Sequence, residues 1–110
     1  MQVRRWNAAA DGPLTETALR QKLEALGYVV ARCEHAPGTR VPDHAHDVDT
    51  IDAVVSGRFR LVIAGHTVQL GPGDWVEVPR GRRHTATVIG DEPVVSLDAI
   101  RRDSGLGSRG

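Results

Sequence analysis

The chain lacks most of what would send it into a membrane, an oxidising compartment or onto nucleic acid. Cysteine occurs once, at Cys33, so no internal disulfide forms and a reducing compartment is expected. Lysine also occurs once, at Lys22, and the arginines are scattered or in short pairs such as Arg4-Arg5, Arg82-Arg83 and Arg101-Arg102. Lys plus Arg count 14 and Asp plus Glu count 14, so no net field draws the chain to DNA, RNA or an anionic membrane. No apolar run approaches the length of a membrane span, and "MQVRRWNAAADG" lacks the apolar centre of a signal peptide. These absences lead us to expect a soluble, cytoplasmic protein with no nucleic-acid or membrane partner.

What is present suits one globular domain. The 110 residues are 40% hydrophobic and 25% charged, enough for a single core. Residues 1 to 13 read as an irregular arm closed by Gly12-Pro13. Leu19, Leu23 and Leu26 then recur at helical spacing, with Ala18 and Ala25 beside them, predicting a helix over 14–26. Thr15 is its N-cap and Gly27 its stop. From Tyr28 the period becomes that of strands. "YVVARCEH", a short extended piece in "APGTRVPDH", "TIDAVVSG", "RFRLVIAG", "HTVQLG", "DWVEVP", "HTATVIG" and "VVSLDAI" are separated by Gly and Pro turns. Strands so short and so regularly spaced predict an all-β fold over 14–100, an antiparallel β-sandwich or barrel with one N-terminal α-helix. The tail 101–110, "RRDSGLGSRG", is expected to be disordered.

The chemistry concentrates in "VPDHAHDVDTID", Val41 to Asp52. Residues i and i+2 of a strand share a face about 7 Å apart, so His44 and His46 can reach one ion. A third ligand must come from another strand. His66 sits in a hairpin turn and is expected to be exposed. His35 ends a strand before a Pro-Gly turn and is ambiguous. His84 opens "HTATV" after the tight turn "PRGRRH", and a closed barrel brings that strand near "HAH". The competing reading is a set of surface histidines with no ligand.

The spacing resembles the cupin family, small β-barrels of RmlC-like fold. One family motif is G-x5-H-x-H-x3-4-E-x6-G, which Gly38, His44, His46 and Gly57 match. The other is G-x5-P-x-G-x2-H-x3-N, which Gly73, Pro79, Gly81 and His84 match. The resemblance implies a metal held by His44, His46 and His84. Two positions depart from it: Thr50 stands where the ligand glutamate would be, and Val88 where the asparagine would be; both are expected to line the pocket. Asp52 shares strand parity with Thr50, so it is expected in the cavity as a catalytic base or a water-bridged neighbour of the ion. Its alternative is a rim carboxylate paired with Arg60.

Three imidazoles accept a divalent transition metal (Fe, Mn, Ni, Cu or Zn) and leave coordination positions open. The resemblance implies dioxygenase-like or isomerase-like chemistry on a small organic substrate. A non-enzymatic ligand-binding or sensing barrel, possible even without metal, is the alternative. Open sheet edges and the helix's leucine stripe, with the habit of small cupins, imply a homodimer.

Overall fold

A computed structural model describes residues 2–102. In chain order its elements are β1 (Val3–Arg5), α1 (Ala8–Asp11), α2 (Glu16–Ala25), β2 (Tyr28–His35), β3 (Arg40–His44), β4 (Thr50–Ser56), β5 (Phe59–Ile63), β6 (His66–Leu70), β7 (Asp74–Val78), β8 (His84–Val88) and β9 (Val94–Arg101). The strands form two antiparallel sheets, a five-stranded one ordered β1-β7-β4-β9-β2 and a four-stranded one ordered β3-β8-β5-β6. The eight strands read from the sequence are β2 to β9.

Strand alternation decides what each sheet buries. On β5, Phe59, Leu61 and Ile63 point inward while Arg60 and Val62 are exposed. These residues join Leu70, Val76, Val78, Ala86, Val88, Val54 and Val94 in a core between the sheets. A second core lies under α2, on the outer face of the five-stranded sheet, and contains Leu19, Leu23, Tyr28, Ile51, Ala53, Trp75, Leu97 and Ala99. The single core expected from chain length is therefore two. β4 supplies both, Val54 to one face and Ile51 and Ala53 to the other, because a sheet covered on both sides has two apolar faces.

Helix α2 is capped by Thr15, whose Oγ1 accepts from the Ala18 amide at 3.0 Å, and is followed by Gly27 at φ 96°. Leu19 and Leu23 are fully buried, whereas Leu26 lies beyond the last helical residue and is 49% exposed. The arm expected to be irregular contains strand β1, which pairs with β7, and helix α1, capped by Asn7. A strand this short carries no alternation to read; it forms because the edge of β7 is there to pair with. Arg101, assigned to the tail, is the last residue of β9, and the Arg102 amide donates to Gly27 O. Residues 103–110 of the expected disordered tail lie outside the described residues.

Candidate metal centre

The residues of β3 that face the interior are set by a defect. Val41 pairs with Ala86 and His44 with His84, so three residues on β3 span two on β8. This one-residue bulge falls at Pro42-Asp43, where proline has no amide to lose from the ladder, on a strand at the edge of its sheet. An unbroken strand would put Val41 and His44 on opposite faces. With the bulge, both line the cavity, and His46 follows His44.

His44, His46 and His84 each offer a ligand nitrogen, and these atoms lie within 4.8 Å of one another. The ring centroids of His44 and His84 are 4.1 Å apart, those of His44 and His46 5.0 Å, and those of His46 and His84 5.7 Å. Three nitrogens on one tetrahedral ion sit about 3.4 Å apart, so small side-chain shifts close the set. Among the described residues no carboxylate joins the cluster.

The hydrogen bonds of these rings test the fit further. Nδ1 of His44 faces Pro42 O at 2.8 Å and Nδ1 of His84 faces Arg82 O at 3.0 Å. A ring nitrogen facing a carbonyl oxygen carries the proton, which leaves Nε2 with the lone pair. Carbonyl-bonded Nδ1–H is the usual support behind a metal-bound imidazole. His84 is 3% exposed, and desolvation lowers its pKa, so it stays neutral and able to ligate. The donor set suits a divalent transition metal.

The two segments that carry the histidines are also tied together. The Gly81 amide donates to His46 O at 2.7 Å, the Arg80 amide to Asp49 Oδ1 at 2.9 Å, and Arg83 Nε to Asp43 Oδ2 at 2.8 Å. Gly81, at φ 81°, is the third residue of the Pro79–Arg82 turn, a position that requires a left-handed backbone. Asp43 and Asp49 thus support the loop rather than ligate.

The cavity beside the histidines has a volume of about 310 Å³ and lies between β2, β9 and β4 of one sheet and β3 and β8 of the other. Thr50 lines it and is 6% exposed. Asp52 lines it too and has no cation partner among the described residues, so the pairing with Arg60 does not occur. Burial, then the nearby Asp98 charge, push the Asp52 carboxyl up to about 7, with His44 opposing.

Val88, expected in the pocket, is not part of its lining. Phe59 pairs with it in the ladder and its ring lies 5.2 Å from that of His35 on the other sheet, so Phe59 closes the cavity and leaves Val88 in the core. His35 lines the cavity outside the histidine cluster, and His66 is exposed. Cys33 lies beside the cavity; its Sγ donates to Asp98 Oδ2 at 3.1 Å, and desolvation and that bond push its pKa up to about 11. Asp98 itself escaped the sequence reading. The available signal was an acid at mid-strand in "VVSLDAI"; Asp52 had in addition its parity with Thr50, and Asp98 has no such reference on its own strand.

Fold and site together define a small two-sheet barrel with an imidazole-lined cavity. Residues 31–100 match the family model described as "Cupin domain", and the chain belongs to the cupin family. No curated protein matches it. Among solved structures it is similar to a Cupin 2 conserved barrel domain protein from Salinispora arenicola, at 28% identity and TM-score 0.63 over 73% of this chain and 66% of that one. It is also similar to the DMSP lyase DddQ from Ruegeria pomeroyi, at 30% identity and TM-score 0.62 over 71% of this chain and 40% of that one. A mutant of Bacillus subtilis oxalate decarboxylase is 29% identical, with TM-score 0.63 over 70% of this chain and 22% of that one. The chain thus spans less than half the length of either enzyme. Among the described residues, no helix is long and apolar enough to cross a membrane.

Proposed function

We propose that this cupin holds one divalent transition metal on His44, His46 and His84 and transfers a proton to or from a small organic substrate bound beside it. The observation that supports this is the shared cavity: three imidazoles converge at one end, and the Asp52 carboxyl, raised to about 7 by burial and by Asp98 in the metal-free cavity, faces the same space. A carboxyl placed beside the substrate is what general acid–base catalysis needs. A metal bound there supplies Lewis-acid polarisation of an oxygen donor on the substrate. Asp52 moves the proton, and the apolar walls of Val41, Phe59 and Ala86 seat the carbon skeleton of the substrate beside it. A cavity of 310 Å³ has room for about ten water-sized groups, which limits the substrate to a small molecule.

The isomerase-like or lyase-like reading is preferred because it uses the Asp52 carboxyl directly in the bond-making step, and the dioxygenase-like reading is the alternative. The names of two similar structures, a lyase and a decarboxylase, belong to the same bond-breaking chemistry. The homodimer reading is supported by Val29 and Ile100, an exposed apolar cross-strand pair on β2 and β9 that are 55% and 49% exposed.

Calorimetric titration of chelator-stripped protein with Mn(II), Ni(II), Zn(II) and anaerobic Fe(II) is expected to give about one ion per chain, lost in His84→Ala without change in circular dichroism. Equal binding by the variant would remove the ligand set. Metal-loaded protein is then incubated in D₂O with a panel of small hydroxy and keto acids. Deuterium exchange that falls about 100-fold or more in Asp52→Asn supports the chemistry. Metal binding without exchange or turnover favours the ligand-binding barrel, and oxygen uptake indifferent to Asp52→Asn favours the dioxygenase.

A further inference from the structure

Asp52 and Asp98 face each other across the β4–β9 ladder as direct register partners, and both line the cavity. Directly opposed side chains on one face of a sheet lie about 5 Å apart at Cβ, and like charges at that spacing repel. The two carboxyls are provided for unequally. Asp98 accepts from Cys33 Sγ at 3.1 Å and from Ser96 Oγ at 3.3 Å, one donor on each oxygen. Asp52 accepts no hydrogen bond from any described residue. The other titratable groups of the cavity are His35 on β2, His44 on β3, His46 in the loop after it and His84 on β8, with Cys33 of β2 beside it; the register partner of Asp52 on β7 is Val76.

We infer that Asp98 is a positioning residue: held as the carboxylate by Cys33 and Ser96, it keeps the opposed Asp52 as the neutral acid, so that the pair presents one proton and one charge to the cavity. Hydrogen bonds to a carboxylate favour its ionised form, and a fixed negative charge beside a second carboxyl favours that carboxyl's protonated form. The raised pKa of Asp52 agrees with this allocation.

The inference rests on the reading of Asp52 as the proton-transfer group and changes its role from base to acid. In the step it serves, the O–H bond of Asp52 breaks, a new bond forms between that proton and a basic atom of the substrate, and the electron pair stays on the Asp52 oxygen. The pair then holds two negative charges, whose repulsion drives recovery of a proton from water. Cys33 in this arrangement is a hydrogen-bond donor to Asp98 and not a nucleophile.

The test is carboxyl-¹³C NMR titration of aspartate-labelled protein kept free of metal by chelator. Asp52→Asn and Asp98→Asn assign the two resonances. In the unsubstituted protein the Asp52 resonance is expected to titrate near neutrality. In Asp98→Asn its midpoint should fall by about one unit or more, a tenfold gain in acidity. Cys33→Ala should spread the titration over both resonances, and Cys33→Ser, which keeps a donor, should restore it. An Asp52 midpoint unmoved by Asp98→Asn overturns the inference, as does finding the shared proton on Asp98. If Asp98→Asn does not fold, the Cys33→Ala and Cys33→Ser pair decides alone. Because no metal is present in the titration, a failure of metal binding leaves its outcome intact, and a failure of the titration leaves the histidine site untouched.

Discussion

Replacing Asp52 with asparagine should make the metal-free protein more stable, and by an amount that depends on pH. The native carboxyl titrates at about 7 against 3.8 for an ordinary aspartate. Its pKa is raised on folding, so its contribution is fully present below the unfolded value and is lost as pH rises through the folded one. A gap of about three units at about 1.4 kcal/mol each amounts to about 4 kcal/mol. Part of the carboxyl faces the open cavity, where water screens it, so about 3 kcal/mol is the working figure. His84 shifts in the opposite direction and is lowered by burial, so its contribution is lost as pH falls. Comparing the variant with the parent at each pH cancels that term, because His84 is common to both. The assay is urea unfolding in chelator followed by tryptophan fluorescence, since Trp75 is buried in the core beneath α2 and Trp6 packs against that core. The Asp52→Asn variant should match its parent within about 1 kcal/mol near pH 4 and exceed it by about 3 kcal/mol near pH 8, with an unchanged m-value. A difference that stays flat across that range would refute the assignment of a near-neutral carboxyl to Asp52.

Thr50→Glu places a carboxylate at the cavity position that resembles the family's ligand glutamate. It should lower stability in chelator, because an unpaired acid replaces a buried threonine, and tighten metal binding by about tenfold or more, read by calorimetry. Leu23→Ala empties a fully buried site between α2 and the sheet and should cost about 2–5 kcal/mol in urea unfolding without changing metal stoichiometry.

Most of the barrel was legible because the turns punctuate it. Gly or Pro separates neighbouring strands from β2 to β9 except β3 and β4, which residues 45–49 join; on β5, parity puts Phe59, Leu61 and Ile63 on one face, and the structure shows that this face is the inward one. What escaped had no local signal. The strand Val3–Arg5 exists only because β7 offers an edge, and the second core follows from covering β4 on both faces. At the site, the histidines were legible through the spacing of two motifs, yet the spacing does not reveal the bulge at Pro42-Asp43 that brings Val41 and His44 to one face. Asp52 was found by parity. Asp98 was not, because its meaning depends on a partner on a strand distant in the chain.

The bulged strand also has a consequence for the order in which the site is built and lost. His84 stands on β8, an interior strand flanked by β3 and β5, and is buried; His44 and the exposed His46 belong to β3 and the loop after it, at the sheet's edge. Edge segments open first under thermal fluctuation and close last in folding. One histidine is therefore a fixed post and the other two a hinged clasp. Whatever all three grip at once fastens an edge segment of the sheet, and amide exchange along β3 becomes a direct gauge of whether the clasp is shut.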